Sequence, residues 1–122
     1  MKASDLKTGL LLTLLALAGC GSSGPPEQVT EGRRALRFFE RGQYEECVKA
    51  FREWLLLYDR DYPNDGACAR FFIGLSYRKM GEIDLARATF LDMCRRYAHV
   101  RDTERAAEWR QWAAEELGRL GE

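Results

Sequence analysis

Four cysteines, one histidine and nineteen Asp and Glu residues are the side chains of this 122-residue sequence with covalent, acid–base or metal-binding chemistry. Their spacing limits what they can do. His99 stands alone in a short connecting segment, so imidazole catalysis would rest on that one residue. No group of His, Cys and carboxylates has metal-ligand spacing. Glu45 and Glu46, in EECVKAFREW, resemble a carboxylate pair, but neighbours in sequence point in different directions on a helix, and both are expected on a solvated face. Cys47 falls at an inward helical position and is expected to be an unreactive core residue. Cys20 differs from all of these: in LALAGCGSSGPP it directly follows an apolar run and directly precedes a flexible one.

The elements around Cys20 set its context. Lys2 and Lys7 precede the apolar run GLLLTLLALAG, Gly9 to Gly19. Eleven helical residues extend about 16 Å against a hydrocarbon core of roughly 30 Å, too short for a crossing helix but the size of a secretory signal's apolar region. An ordinary cleaved signal is the plainer reading. Leu17-Ala18-Gly19-Cys20, however, resembles the lipobox of bacterial lipoproteins. That resemblance implies a signal peptide over 1–19, cleavage before Cys20, and diacylglycerol plus an acyl chain such as palmitate on that cysteine, with no other cofactor. Gly21 stands where aspartate tends to retain lipoproteins at the inner membrane, so the resemblance implies the outer membrane, periplasmic side. Residues 20–27 are expected to form a tether, flexible through Gly and Ser and stiffened by Pro25 and Pro26.

The remainder, 28–122, carries a repeat. GQYEECVKAF from Gly42 aligns with GEIDLARATF from Gly81, 39 residues on, and Ala35 and Phe38 match Gly74 and Tyr77. A period of this size marks stacked supersecondary units. Tyr44, Cys47, Val48, Phe51, Trp54, Leu55 and Tyr58 recur at intervals of three and four, as do Ile83, Ala86, Phe90, Met93 and Tyr97, which predicts amphipathic helices with those faces inward. Gly42 and Gly81 are expected in left-handed conformation at helix ends. The segment DRDYPNDG, Asp59 to Gly66, reads as the connection between units, with Asn64 or Asp65 capping the helix that follows.

The pattern Ile73-Gly74-x-x-Tyr77, Gly81-x-x-x-x-Ala86, Phe90 resembles the tetratricopeptide repeat. The first unit departs from it: Ala35 stands where glycine is usual, Phe38 where tyrosine is usual and Cys47 where alanine is usual. The period exceeds the usual 34 residues, as in repeat lipoproteins of outer-membrane β-barrel assembly and periplasmic proteins of the Tol-Pal system, to which the sequence is similar. The resemblance implies an all-α fold: a short solenoid of about two and a half repeats and five helices, with repeats over 28–61 and 67–100 and a capping helix over 102–120. The cap is expected to bury Ala106, Trp109, Ala113, Leu117 and Leu120 and to expose Glu104, Arg105, Glu108, Glu115, Glu116 and Arg119. Trp109 and Trp112 read as packing residues, not a membrane anchor.

First helices of such repeats line a concave, partner-gripping surface. Carried over by position, that surface is Leu36, Phe39 and Glu40, then Phe71, Leu75, Arg78 and Lys79, then Arg110 and Ala114. The periplasm permits disulfides, and Cys68 and Cys94, near the start of one helix and the end of its antiparallel mate, can meet as a bridge or remain two small buried residues. Nineteen basic and nineteen acidic residues, without blocks, give no footprint for nucleic acid. Losing Lys2, Asp5 and Lys7 with the leader removes two cations and one acid, leaving a net charge of minus one. The expectation is a non-enzymatic, outer-membrane-anchored periplasmic adaptor for an envelope protein or peptide segment, touching membrane through its lipid only. The alternative is a pilotin-like chaperone for a secretion or pilus pore subunit. A small cell-wall enzyme would need acidic residues converging in a cleft. An oligomer completing its short array on another chain is a further possibility.

Overall fold

The computed structural model describes residues 26–101 and 104–121, and within them five α-helices account for all regular structure. They are α1 (Pro26–Glu40), α2 (Tyr44–Tyr58), α3 (Pro63–Lys79), α4 (Ile83–Arg96) and α5 (Arg105–Leu120). The all-α expectation holds, and five helices were expected. No described helix is long and apolar enough to cross a membrane. The expected lipobox and signal peptide, and most of the expected tether, lie outside the described residues.

Each helix packs on the next, and α3 also meets α1 and α5. The inward stripes of α2 and α4 explain this pairing. Cys47, Val48, Phe51 and Trp54 are buried on α2, and Ala86, Phe90 and Met93 on α4, as their spacing predicts. Ile83, at the first position of α4, departs from its stripe at 37% exposure. On α3 every residue from Asp65 to Tyr77 except Arg70 is buried. A helix apolar on all sides belongs in the middle of a small domain.

Two turns repeat the same geometry. Gly42 follows α1 with φ 77° and Gly81 follows α3 with φ 79°. At the first, Gly42 N–H donates to Phe39 C=O (3.0 Å) and Gln43 N–H to Phe38 C=O (2.8 Å); at the second, Gly81 N–H donates to Arg78 C=O (3.0 Å) and Glu82 N–H to Tyr77 C=O (2.9 Å). This is the Schellman arrangement, which satisfies the last carbonyls of the helix and needs a left-handed residue that glycine adopts without strain.

The connection between α2 and α3 is shorter than DRDYPNDG. Pro63 opens α3, where a missing N–H costs nothing, so Asn64, Asp65 and Gly66 are already helical. Neither Asn64 nor Asp65 caps α3: its N-cap, Tyr62, makes no side-chain cap bond. Asn64 Oδ1 instead accepts from Ala106 N–H at the start of α5 (3.1 Å). Asp65 is buried and accepts from Gln28 Nε2 (3.2 Å), tying the first turns of α1 and α3.

Helices α3 and α4 approach most closely at Gly74. A methyl group there would lie 2.5 Å from Phe90 Cε1 and 2.7 Å from its Cζ. Phe90 is fully buried and cannot swing aside. Gly74→Ala should therefore destabilise the domain by about 1–3 kcal/mol through overpacking, despite the roughly 1 kcal/mol that alanine gains in helix propensity. Denaturant unfolding should show Phe90→Leu recovering part of that loss in the double variant; strict additivity of the two changes would contradict the contact.

Candidate functional site

The residues carried over as a partner surface divide into three sets. Leu36 (3% exposed), Phe71 (0%) and Leu75 (5%) lie in the hydrophobic core, a correction to their expected exposure. The reason is plainest at Phe71. Its ring meets Phe90 of α4 (centroids 5.6 Å apart) and Trp109 and Trp112 of α5 (5.5 and 6.2 Å), so the terminal helix closes over it. Trp109 and Trp112, 5.0 Å apart, are thus packing residues, as expected.

Arg78 and Arg110 do structural work. Arg78 Nη1 donates to Glu116 Oε2 (2.6 Å), and Arg119 Nη1 donates to Glu116 Oε1 (2.6 Å), so one carboxylate from α5 is shared by two cations. Glu116 is 2% exposed, against its expected place on the outer face of the cap. Arg78, on α3, needs a counter-charge where α5 crosses it, and Glu116 supplies one. Arg110 Nη1 donates to Tyr97 C=O (2.7 Å), with Ala98 and Val100 C=O at 3.4 and 3.3 Å. A guanidinium there satisfies carbonyls at and beyond the end of α4, where the helix dipole favours a cation.

Phe39, Glu40 and Lys79 remain accessible. Phe39 is half-buried against Phe72 (5.0 Å) and Tyr44 (5.4 Å). Glu40 and Lys79 are exposed at the final residues of α1 and α3, which run side by side in the same direction. Separately, the fold offers an open groove of about 610 Å³ between α4 and α5, lined by Cys94, Ala107, Glu108, Arg110, Gln111 and Ala114. Of these, Arg110 and Ala114 were read from repeat position. Cys94, Ala107 and Gln111 were not, although Ala107, Gln111 and Ala114 recur at helical spacing and mark a low-relief face of α5.

A part-buried polar cluster missed by pattern reading ties three helices together. Arg70 donates through Nη1 and Nη2 to the two oxygens of Asp59 (2.8 and 2.7 Å) and through Nη1 to Tyr97 OH (2.8 Å), joining the ends of α2 and α4 to α3. Gly66 makes room for it, since a methyl there would stand 2.0 Å from Asp59 Oδ1. Burial alone would lower the Arg70 pKa, but the Asp59 hydrogen bond and the Tyr97 and Asp59 charges outweigh it, so the pKa is raised. Burial raises Tyr97 as well. Arg52 donates to Tyr77 OH and lies 5.7 Å from the centre of its ring.

The thiols are not activated. Cys47 is fully buried, and desolvation pushes its pKa from an ordinary 9.0 up to about 11, although Ser76 acts in the opposite sense. Cys94 is also raised, by burial, although the Arg110 charge opposes it. Cys94 carries a free thiol, so it is not bridged to Cys68. Met93, fully buried, takes the inward position on α4, and Cys94 beside it lines the groove against α5. Among the described residues no group of three or more His, Cys, Asp and Glu is placed to hold a metal ion.

Fold and groove together define an all-helical protein of successive antiparallel hairpins. No family model matches the chain, and no curated protein and no solved structure matches it.

Two measurements follow from these environments. In the native protein a maleimide should modify Cys94 and spare Cys47 until the domain unfolds; equal native rates would contradict the burial difference. Because the folded Cys47 pKa is raised, its contribution is complete below the unfolded value of 9.0 and is lost as pH rises towards about 11. Denaturation midpoints should fall across that window, and less steeply in Cys47→Ala. Separately, Asp59→Asn should lower stability by about 1–3 kcal/mol, because it leaves a largely buried guanidinium without its counter-charge.

Proposed function

We propose that the chain is a lipoprotein of the outer membrane, facing the periplasm, whose tetratricopeptide-like domain is a non-enzymatic adaptor for an envelope protein or peptide segment. The observation that carries this reading is the duplicated helix–turn–helix unit. The Gly42 and Gly81 turns share one hydrogen-bond pattern 39 residues apart, and Gly74 stands at the tight crossing where the resemblance requires a small residue. Such units bind through surfaces their helices present together, and function in them comes from capture of a partner and not from bond chemistry. The raised thiols and carboxylates committed to ion pairs accord with that role.

The lipobox resemblance of Leu17-Ala18-Gly19-Cys20 supplies the anchor. Acylation of Cys20 would hold adaptor and partner on one surface, which raises their local concentration without any new contact. The partner-facing residues are revised by burial. Lys79, Glu40 and the exposed edge of Phe39 form one end of the surface, and Glu108, Gln111 and Ala114 one wall of the groove.

Mass spectrometry of the protein from membranes should give an N-terminal Cys20 carrying diacylglycerol and an acyl chain; a chain beginning at Met1 with an unmodified thiol would refute the anchor. Photo-crosslinking in intact cells from positions 79 and 111 should attach one and the same envelope protein, while position 71, inside the core, attaches none. Failure of both surface positions to capture anything would refute the adaptor reading.

A further inference from the structure

The end of the domain at which α1 begins carries an apolar corner that the fold does not use. Leu56 and Leu57, in the last turn of α2, are 87% and 68% exposed. One turn earlier Trp54 is in the core. Single exposed leucines are ordinary, but these two are adjacent and are the barest large apolar side chains among the described residues. Tyr58 and Tyr62, both half-buried, stand at the same end.

Chain geometry says what this corner faces. Helix α2 runs back along α1, so its last turn lies beside the first turn of α1, where the Trp54 indole donates to Gln28 C=O (3.1 Å). The described residues start at Pro26, and Cys20 is six residues earlier. Six residues reach at most about 20 Å even when fully extended. That is no more than the length of α2 itself, about 22 Å for 15 residues. Whatever surface holds Cys20 is therefore within reach of the Leu56–Leu57 end, while the Gly42 and Gly81 turns lie at the far end.

Resting on the reading of Cys20 as the acylated residue, we propose that the Leu56–Leu57 corner sits in the head-group region of the bilayer that holds the anchor. Two or more acyl chains already suffice for attachment, so the corner fixes orientation. Leucine favours the acyl boundary, and tyrosine, with an apolar ring and a polar tip, favours the interface just above it. Docked this way, the domain directs Glu40 and Lys79, at the opposite ends of α1 and α3, into the periplasm. A second copy of the chain fits the corner less well, since two leucines offer far less than the roughly 800 Å² per partner of a stable interface.

The test uses the full acylated protein in phosphatidylethanolamine–phosphatidylglycerol vesicles, with a fluorescent dansyl amino acid at position 57 or, as a control at the far end, at position 85, where Leu85 is 47% exposed. Floated protein should show a blue shift at position 57 that nitroxide-labelled lipid quenches, and aqueous emission at position 85. Aqueous emission at both positions on floated protein would overturn the inference and leave the anchor intact. A blue shift at 57 that lipid nitroxides do not quench would overturn it in favour of a protein contact. Protein that fails to float would refute the anchor itself, and the inference with it.

Discussion

Two adjacent aromatic residues hold the domain together. Phe71 and Phe72 point to different sides of α3, and between them they meet a ring from every other helix. Phe72 lies 5.0 Å from Phe39 of α1 and 6.2 Å from Phe51 of α2, and Phe71 reaches Phe90 of α4 and Trp109 and Trp112 of α5. Rings at such separations add to burial through their edge and offset geometries. This hub requires α3 to be approached from all sides, and the remaining constraints serve that approach. Gly74 admits Phe90, Gly66 admits the Asp59 carboxylate, and Gly42 and Gly81 turn the chain sharply enough for α2 to fold back on α1 and α4 on α3.

A central helix wrapped in this way must also dispose of its polar groups. Arg70 and Arg78 leave α3 in directions where a neighbouring helix passes, and each is met by a carboxylate from a distant part of the chain: Asp59 at the end of α2, Glu116 on α5. Removing one partner from such a pair costs more than the pair contributes, because the orphaned charge remains in a poorly solvated place. These pairs therefore serve as registers between helices. Asn64 plays a similar part without charge: pushed into α3 by Pro63 at its start, its side chain supplies the acceptor that Ala106 N–H needs on α5.

The helices were legible where periodicity was the signal. Cys47, Val48, Phe51 and Trp54 fall inside, and so do Ala86, Phe90 and Met93, because a stripe at intervals of three and four has only one way to be buried. The two left-handed glycines were legible because few other residues tolerate that conformation. What one face of one helix meets was not legible. Repeat position assigns Leu36, Phe71 and Leu75 to a shared side, but periodicity carries no record of whether another helix covers that side. Glu116 shows the same limit, since its charge argues for solvent and only the crossing of Arg78 argues otherwise. The candidate groove was half legible: Arg110 and Ala114 follow from repeat position, whereas Cys94 enters only because Met93 occupies the inward site beside it.

The polarity of the bundle gives it two unlike ends. With helices alternating in direction, one end gathers the start of α1, the end of α2, the start of α3 and the end of α4, and the other gathers the two glycine turns. The first end is internally cross-linked: Trp54 to Gln28, Gln28 to Asp65, Asp59 to Arg70 to Tyr97, Asn64 to Ala106 and Arg110 to the carbonyls after α4. The second end combines backbone bonds in its turns with the ion pairs of Arg78 and Arg119 to Glu116, and its charged termini Glu40 and Lys79 are open. More of the side-chain ties fall at the first end, so the start of α1 is held by polar contacts as well as by packing, while the residues that end α1 and α3 stay accessible.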